Sequence, residues 1–407
     1  MVYDYDFEGN GVDKTKVKQF GVDESYKIEM NPVSYKVVKI ERAKYKDKEH
    51  IYQSTSNDPY PHSPLTPSLA ANIIEMKYNL GVPLYRYAKY MNTFGLNVSP
   101  QDLSNYVMRT LDILNPLYCE LEKALVSTPY NVIHGDETTL EIIDSSKDKC
   151  YMFVYTTSFW DNAVYIYKFS ESRKIDNTVD LLNNFNGYFE CDGYVGYDAL
   201  PNKVEGKIKI QRCWTHMRRY FTDCLKSISE AKRKKSPAYN VVNKINEMFK
   251  YEKMMREKCF TKKEIEEFRQ GREYQKTIHE IDTLITNIDY GSDSYLKKAV
   301  EHYKNDKTEL YTFVENGYVD INNNLAERTI KPFVVARKNF MFCKTADGAQ
   351  TTGKLFSIIQ TTRANGIKTE LYLKYVIENI DKMDINNLLP WSENIVKQFK
   401  ISTSGKK

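Results

Sequence analysis

Gly187-Tyr-Phe-Glu-Cys-Asp192-Gly-Tyr194 is a short apolar run that ends in an acid and a glycine. Bounded by turn residues, it reads as a strand. The segment before it, Ile175–Phe185, has helical spacing with Leu181 and Leu182 inward. A helical crossover of this kind delivers a parallel strand. Working upstream, the hydrophobic period changes at Tyr130. Asn131-Val-Ile-His134 reads as a short strand, followed by Gly135-Asp136-Glu137-Thr138. Cys150–Thr156 and Ala163–Phe169 are alternating, aromatic-rich runs and read as the next two strands. Working downstream, Lys207–Cys213 reads as a fifth strand that feeds Trp214-Thr-His216 and a long helix. Three antiparallel strands, a helix, a parallel strand and a further βα unit is the order of an RNase H-like fold. The expected class is therefore α/β.

The core is flanked by helices. Over 67–127, Leu69, Ile73, Ile74 and Tyr78 recur at helical spacing. Pro83 opens a second helix and Gly95 ends it; Ser99 caps a third, with Pro100 at its first position. This reads as a helix-turn-helix candidate, and equally as a plain helical hairpin. Residues 1–66 read as a polar segment with short strands near Tyr35–Ile40, ending near residue 66 in a linker marked by Pro59, Pro61, Pro64 and Pro67. Residues 217–316 read as a charged helical insertion, with Lys232-Arg-Lys-Lys235 in a loop. The core resumes over 317–366, where Asn339–Lys344 reads as a strand or hairpin arm and Gln350–Ala364 as a helix ending at Asn365-Gly366. A helical element and a basic tail, Ser402–Lys407, occupy 367–407. Thus the first part of the core spans 128–216.

The late stretch Asp320-Ile-Asn-Asn-Asn-Leu-Ala-Glu327-Arg-Thr-Ile-Lys-Pro332 reads as a short helix. Asp320 or Asn322 is its expected cap, and Pro332 is expected to stop it within about two turns. Glu327 sits among cations: Arg328, Lys331, Arg337 and Lys338. An i, i+4 pair with Lys331 is the bland reading. A carboxylate held among phosphate-binding cations also suits the last ligand of a metal-dependent nuclease or strand transferase.

Composition bounds the class. Of 407 residues, 41% are hydrophobic and 28% charged, enough for two or three domains with real cores. No run of 18 apolar residues occurs, so no membrane span is expected. The N-terminus lacks the basic and apolar regions of a signal peptide, and seven scattered cysteines form no C-x-x-C pair. A reducing, cytoplasmic location is the expectation. The net charge of +5 is uneven: Lys203–Lys276 holds 21 Lys and Arg against 10 Asp and Glu, and Arg328–Lys407 holds 14 against 6. Such clustering points to an anionic partner, most commonly nucleic acid, although a solvated helical face gives the same pattern.

Three carboxylates stand out: Asp136 after one strand, Asp192 at the end of another, and Glu327 on a late helix. Together they suit two Mg²⁺ ions about 3.5–4 Å apart that clamp a scissile phosphate. Mg²⁺, or Mn²⁺ in its place, takes oxygen ligands and needs no His or Cys. Glu137 points the other way if the chain is extended, as a support residue. Cys213-Trp-Thr-His216 is a C-x-x-H, but no second Cys/His pair is near it in sequence, so zinc is not expected. His216 with Arg218 and Arg219 suits phosphate contact, Trp214 either stacks on a base or packs, and His134 reads as a packed strand residue.

Five ordered strings carry a resemblance: His-Gly-Asp136-Glu-Thr, Asp192-Gly-Tyr-Val-Gly-Tyr, Cys213-Trp-Thr-His-Met-Arg-Arg-Tyr-Phe, Asn323-Asn-Leu-Ala-Glu327-Arg and Arg337-Lys-Asn-Phe-Met-Phe. With the closing Leu388-Leu-Pro-Trp391, they resemble the insertion-sequence-66 family of bacterial transposases, in register from about residue 66 onward. The resemblance implies a DDE transposase with an RNase H-like core and a helical insertion. It makes Asp136, Asp192 and Glu327 a metal-binding triad. It also implies DNA as partner, both transposon ends and target, accessory proteins of the same mobile element, and a homo-oligomer that holds two ends. The chain departs from the pattern at its start. Family members carry a zinc-binding cysteine segment there, whereas no Cys precedes Cys119, and Ser25–Pro61 looks like that segment without its ligands. The alternative reading is a catalytically inactive or truncated DNA-binding relic acting at element ends. A third is a nuclease of the same fold, which cuts without joining.

Overall fold

Five strands build the central sheet of the larger unit, Thr55–Lys407. The structure is a computed structural model that describes residues 9–10, 13–18, 33–47, 50–53, 58–147 and 149–401. A smaller unit, Met1–Ser54, contains strands β1 (Lys44–Lys46) and β2 (Ile51–Gln53), paired antiparallel. The strands expected near Tyr35–Ile40 do not form. Val37 is 96% exposed there, and alternating residues that no described residue covers gain nothing from pairing. The tail 402–407, and much of Ser25–Pro61, lie outside the described residues.

In the large unit the sheet order is β5-β4-β3-β6-β7. Its strands are β3 (Val132–Leu140), β4 (Cys150–Thr157), β5 (Tyr165–Ser170), β6 (Gly187–Cys191) and β7 (Ile208–Arg212). β3, β4 and β5 pair antiparallel, and β6 joins β3 and β7 in parallel. The expected strand count and directions are therefore observed. β4 is buried at seven of eight positions, as a strand covered on both faces must be.

Helices α1 (Pro67–Ile74), α2 (Leu84–Asn92) and α3 (Pro100–Val126) precede the sheet. α3 begins with a capping box: Ser99 and Asp102 satisfy each other's backbone N–H groups. Leu103, Val107, Leu111, Leu114 and Leu117 form its buried side, which packs on α13 (Ala346–Ala364). α13 also closes the sheet edge. Ser357 Oγ and Thr361 Oγ1 accept the N–H groups of Tyr167 and Tyr165 at 2.8 and 2.9 Å, and Asn365 Nδ2 donates to Ala163 O. Residues four apart on a helix thus complete a strand edge that otherwise invites pairing with another chain. Gly353 begins that series, because a Cβ there would stand 2.8 Å from Tyr167 O.

Between strands lie α4 (Asp176–Leu182) and α5 (Leu200–Lys203); Leu182 is buried and Leu181 only half so. After β7 come α6 (Trp214–Lys226), α7 (Glu230–Arg233), α8 (Pro237–Glu257), α9 (Lys262–Gln270), α10 (Arg272–Thr286) and α11 (Ser294–Leu310). Lys232 and Arg233 fall in the one-turn helix α7 rather than in a loop. These helices share a core that includes Trp214, Phe221, Ile245, Met248, Ile281 and Tyr303.

α12 (Asn324–Phe340) corrects the expected stop at Pro332, since the helix runs two turns past it. Burial of Ala326, Thr329, Ile330, Phe333 and Ala336 against β3 and β4 outweighs the missing N–H at Pro332. The helix ends instead at Met341, whose φ is +63°. Asn339 and Phe340 are thereby helical, and of the strand expected over 339–344 only a single bridge remains, Cys343 to Ile142. The closing helices are α14 (Thr369–Asn379) and α15 (Glu393–Phe399).

Candidate functional site

Asp136 lies inside β3, not beyond its end, because the ladder with β4 continues to Leu140 opposite Cys150. The residue before it must be small: a Cβ at Gly135 would collide with the Phe189 ring. Burial raises the Asp136 carboxyl to about 7. The N–H of Glu137 donates to Asp136 Oδ1 at 2.8 Å and opposes that rise, while the negative charges of Glu137, Asp192 and Glu327 add to it. The charges of Asp192 at a strand end and Glu327 at a helix start thus reach Asp136 in a strand interior, although among the described residues the three do not group with ligand atoms within 4.8 Å of one another.

Asp192 follows β6 directly. Its Oδ1 accepts the Tyr194 N–H at 2.9 Å. Arg212, only 2% exposed, fixes this turn from the end of β7. It donates to Asp192 O, to Tyr194 O at 3.2 Å and to Cys191 Sγ at 3.3 Å, and pairs with Asp198. Glu137 is engaged elsewhere: Arg173 Nε donates to Oε1 at 2.8 Å and Tyr197 Oη to Oε2 at 2.9 Å. Arg173 also lies 4.0 Å from the Tyr194 ring centroid. Burial and the charge of Asp192 raise the Glu137 carboxyl, and these two donors hold it down. No local signal in the sequence points to Arg212 or Arg173, whose partners Asp198 and Glu137 lie 14 and 36 residues away.

Glu327 stands in the first turn of α12, where the helix N-terminus favours an anion. The N-cap position is Asn323, not Asn322 as expected, and no side chain caps the helix there; Asn322 Oδ1, one residue earlier, accepts the N–H of Asn324 at 3.1 Å. Asp320 does not cap; it pairs with Arg256. Among the described residues no ion pair joins Glu327 to Lys331, and its Oε1 instead lies 3.6 Å from His216 Nε2.

Beneath the carboxylates is a buried polar layer. His134 and Glu190, opposite each other on β3 and β6, are 0% and 1% exposed. His134 Nδ1 lies 3.2 Å from Glu190 Oε2 and 3.3 Å from Asn323 Oδ1. Asn323 Nδ2 donates to Gly135 O at 2.7 Å, and Asp320 N–H donates to Glu190 Oε1 at 2.7 Å. Burial pushes His134 down to about 4 and Glu190 well above the usual carboxylate range. The layer ties the start of α12 to the strand that carries Asp136.

The six predicted cations divide. Arg219, Arg328, Lys331 and Lys338 are exposed. Arg328 and Lys331 share a cleft of about 380 Å³ with Arg363, Gln360 and Tyr78. Arg218 Nε donates to Asn246 Oδ1 at 2.6 Å. Arg337 donates to Thr139 O and to the hydroxyls of Thr138 and Thr139, pinning α12 to β3. Trp214 is fully buried, with its indole N–H donating to Leu310 O at 2.6 Å, so it packs rather than stacks on a base. Among the described residues no helix is long and apolar enough to cross a membrane.

A family model described as transposase, IS66 family, matches residues 62–351. Three proteins of Sinorhizobium fredii (strain NBRC 101917 / NGR234), each called uncharacterized, are similar to the chain. Protein y4jD is 26% identical, the alignment covering 80% of this chain and 66% of that protein. Proteins y4qI and y4hP are 24% and 23% identical, covering 91% and 93% of this chain and 71% and 72% of theirs. The chain thus spans about two thirds of the length of these relatives.

Proposed function

Because the chain belongs to the IS66 family of transposases, we propose that it cuts DNA at the ends of an insertion element and joins the freed 3′-hydroxyl to target DNA. One observation carries the mechanism: the Asp136 carboxyl is raised to about 7 by burial and by the charges of Glu137, Asp192 and Glu327. So much negative charge in one place calls for a cation, and the donors from Asp136 and Asp192 are the hard oxygens that Mg²⁺ or Mn²⁺ takes. The sheet order, with three antiparallel strands and two parallel ones, supports an RNase H-like core.

Asp136, Asp192 and Glu327 would hold the metal. When bound, it supplies Lewis-acid stabilisation of the phosphate oxygens and eases deprotonation of the attacking water or hydroxyl. The protein's own groups do the rest. Arg212 holds the Asp192 turn, and the layer of His134, Glu190 and Asn323 holds Glu327's helix at β3, so the carboxylates are fixed before substrate arrives. Arg173 and Tyr197 keep Glu137 turned to the protein. Arg219, Arg328, Lys331 and Lys338 contact phosphates, which sets the position of DNA without reading its sequence. Each joining step forms one P–O bond and breaks another in line, with no net change in bond count. A homo-oligomer holding both ends, and accessory proteins of the same element, complete the assembly.

The test is cleavage and joining of a labelled element-end oligonucleotide with Mg²⁺ or Mn²⁺. Joined product supports the transposase. Cleavage without joining would mean a nuclease, and salt-sensitive binding without product would mean a DNA-binding relic.

A pH dependence follows from Asp136. Its carboxyl titrates above its ordinary 3.8, so the neutral form stabilises the metal-free protein. That contribution is complete at acid pH and is lost as pH rises through about 7. A cation must displace the proton, so apparent Mg²⁺ affinity should fall about tenfold per pH unit below about 7 and level off above it. Calorimetric titration across that range checks this. An affinity that does not change with pH would sink the assignment of Asp136 as a ligand.

A further inference from the structure

Cys213 and His216 stand at the start of α6, and Glu327 in the first turn of α12 lies against them. One ligand atom from each falls within 4.8 Å of the other two. Cys213 Sγ accepts the Asn323 N–H at 3.2 Å, and an N–H donated to a cysteine sulfur favours the thiolate over the thiol. His216 Nδ1 and Glu327 Oε1 are shielded from solvent and have no hydrogen-bond partner. Atoms of that kind seldom go unsatisfied in a folded protein.

We propose that Cys213, His216 and Glu327 form a site for a borderline divalent cation of the zinc class. One sulfur, one nitrogen and one oxygen, with a fourth position left to water or a phosphate oxygen, is a donor set that Zn²⁺ takes and Mg²⁺ refuses. The C-x-x-H alone is half a site, and its third ligand comes from the far side of the helical insertion. Binding forms an S–metal bond, and the thiol proton leaves to solvent. One consequence rests on the transposase reading: zinc here takes Glu327 away from the Mg²⁺ site, so it inhibits strand transfer.

Cobalt(II) added to the full chain, without DNA, tests the site. One equivalent should produce a near-ultraviolet thiolate-to-cobalt absorption and release about one proton per metal. Zn²⁺ should displace it. Cys213→Ser should abolish the band, and His216→Gln should weaken binding by more than the roughly 10–100-fold that loss of an outer partner costs. Asp136→Asn should keep the band. No band in the native protein, or an unchanged band in Cys213→Ser, overturns the site; His216→Gln decides alone if the serine variant misfolds. A second arm measures Mg²⁺-dependent joining with added zinc. Inhibition of the native rate but not of the Cys213→Ser rate supports the link to Glu327, and equal inhibition of both refutes it. If the native protein joins no DNA, the cobalt result still decides the site and only the proposed function fails.

Discussion

Asp192→Ala is expected to lower strand transfer by at least about 10³-fold, the scale on which a principal stabiliser of transition-state charge is lost. Asp136→Ala and Glu327→Ala should do the same. DNA affinity should be largely kept, because it comes from cations on phosphate and not from these acids. Asparagine and glutamine variants preserve volume and separate lost charge from lost packing. The salt dependence of binding should be unchanged across the series, while Lys331→Ala should reduce its slope by about one contact. Any acid whose replacement leaves joining intact drops out of the triad. Each of the three comes from a different element, yet the charges of Asp192 and Glu327 both act on Asp136. Nothing in stability explains such a gathering, since like charges brought together oppose folding.

The largest stability effect is expected away from that site. Arg269, 2% exposed, forms a bidentate pair with Glu252 at 3.0 and 2.7 Å. Its Nη1 also donates to Phe313 O at 2.8 Å and Asn316 O at 3.1 Å, and Tyr274 Oη donates to Glu252 Oε1 at 2.7 Å. Arg269→Met should cost about 3–5 kcal/mol, because it strands a buried carboxylate and two carbonyls. Adding Glu252→Leu should recover much of that loss, since an apolar pair of similar volume replaces the ions. Urea unfolding of the two variants decides it, and a single-variant loss below about 1 kcal/mol would show that the carboxylate finds water. There is a functional side. Phe313 and Asn316 lead into the loop 320–323 and so to Glu327; the pair is where the helical insertion grips the segment that carries the third acid.

How much of this was legible in advance differs by element. The strands were, because apolar alternation and turn residues at their ends are local signals, and β6 has the very bounds expected, Gly187–Cys191. So was the start of α3, since Ser99, Pro100 and Asp102 are a cap whose partners lie within one turn. Pro332 misled, since its local cost was outweighed by burial of a helix face, which no local rule contains. The strands expected near Tyr35–Ile40 failed for the opposite reason: a pattern with nothing to pack against among the described residues.

The sequence by itself determined the class of fold, the order of its strands and three acids in motifs that match a known family. Those are properties of near neighbours in the chain and of spacing. Only the tertiary structure decided which groups meet. It set Arg212 on the Asp192 turn and His134 against Glu190 and Asn323. It turned Arg337 inward to β3 and completed Cys213 and His216 with Glu327. These partners are separated by tens to hundreds of residues, and burial, distance and charge between them exist only once the sheet and its helices have closed on one another.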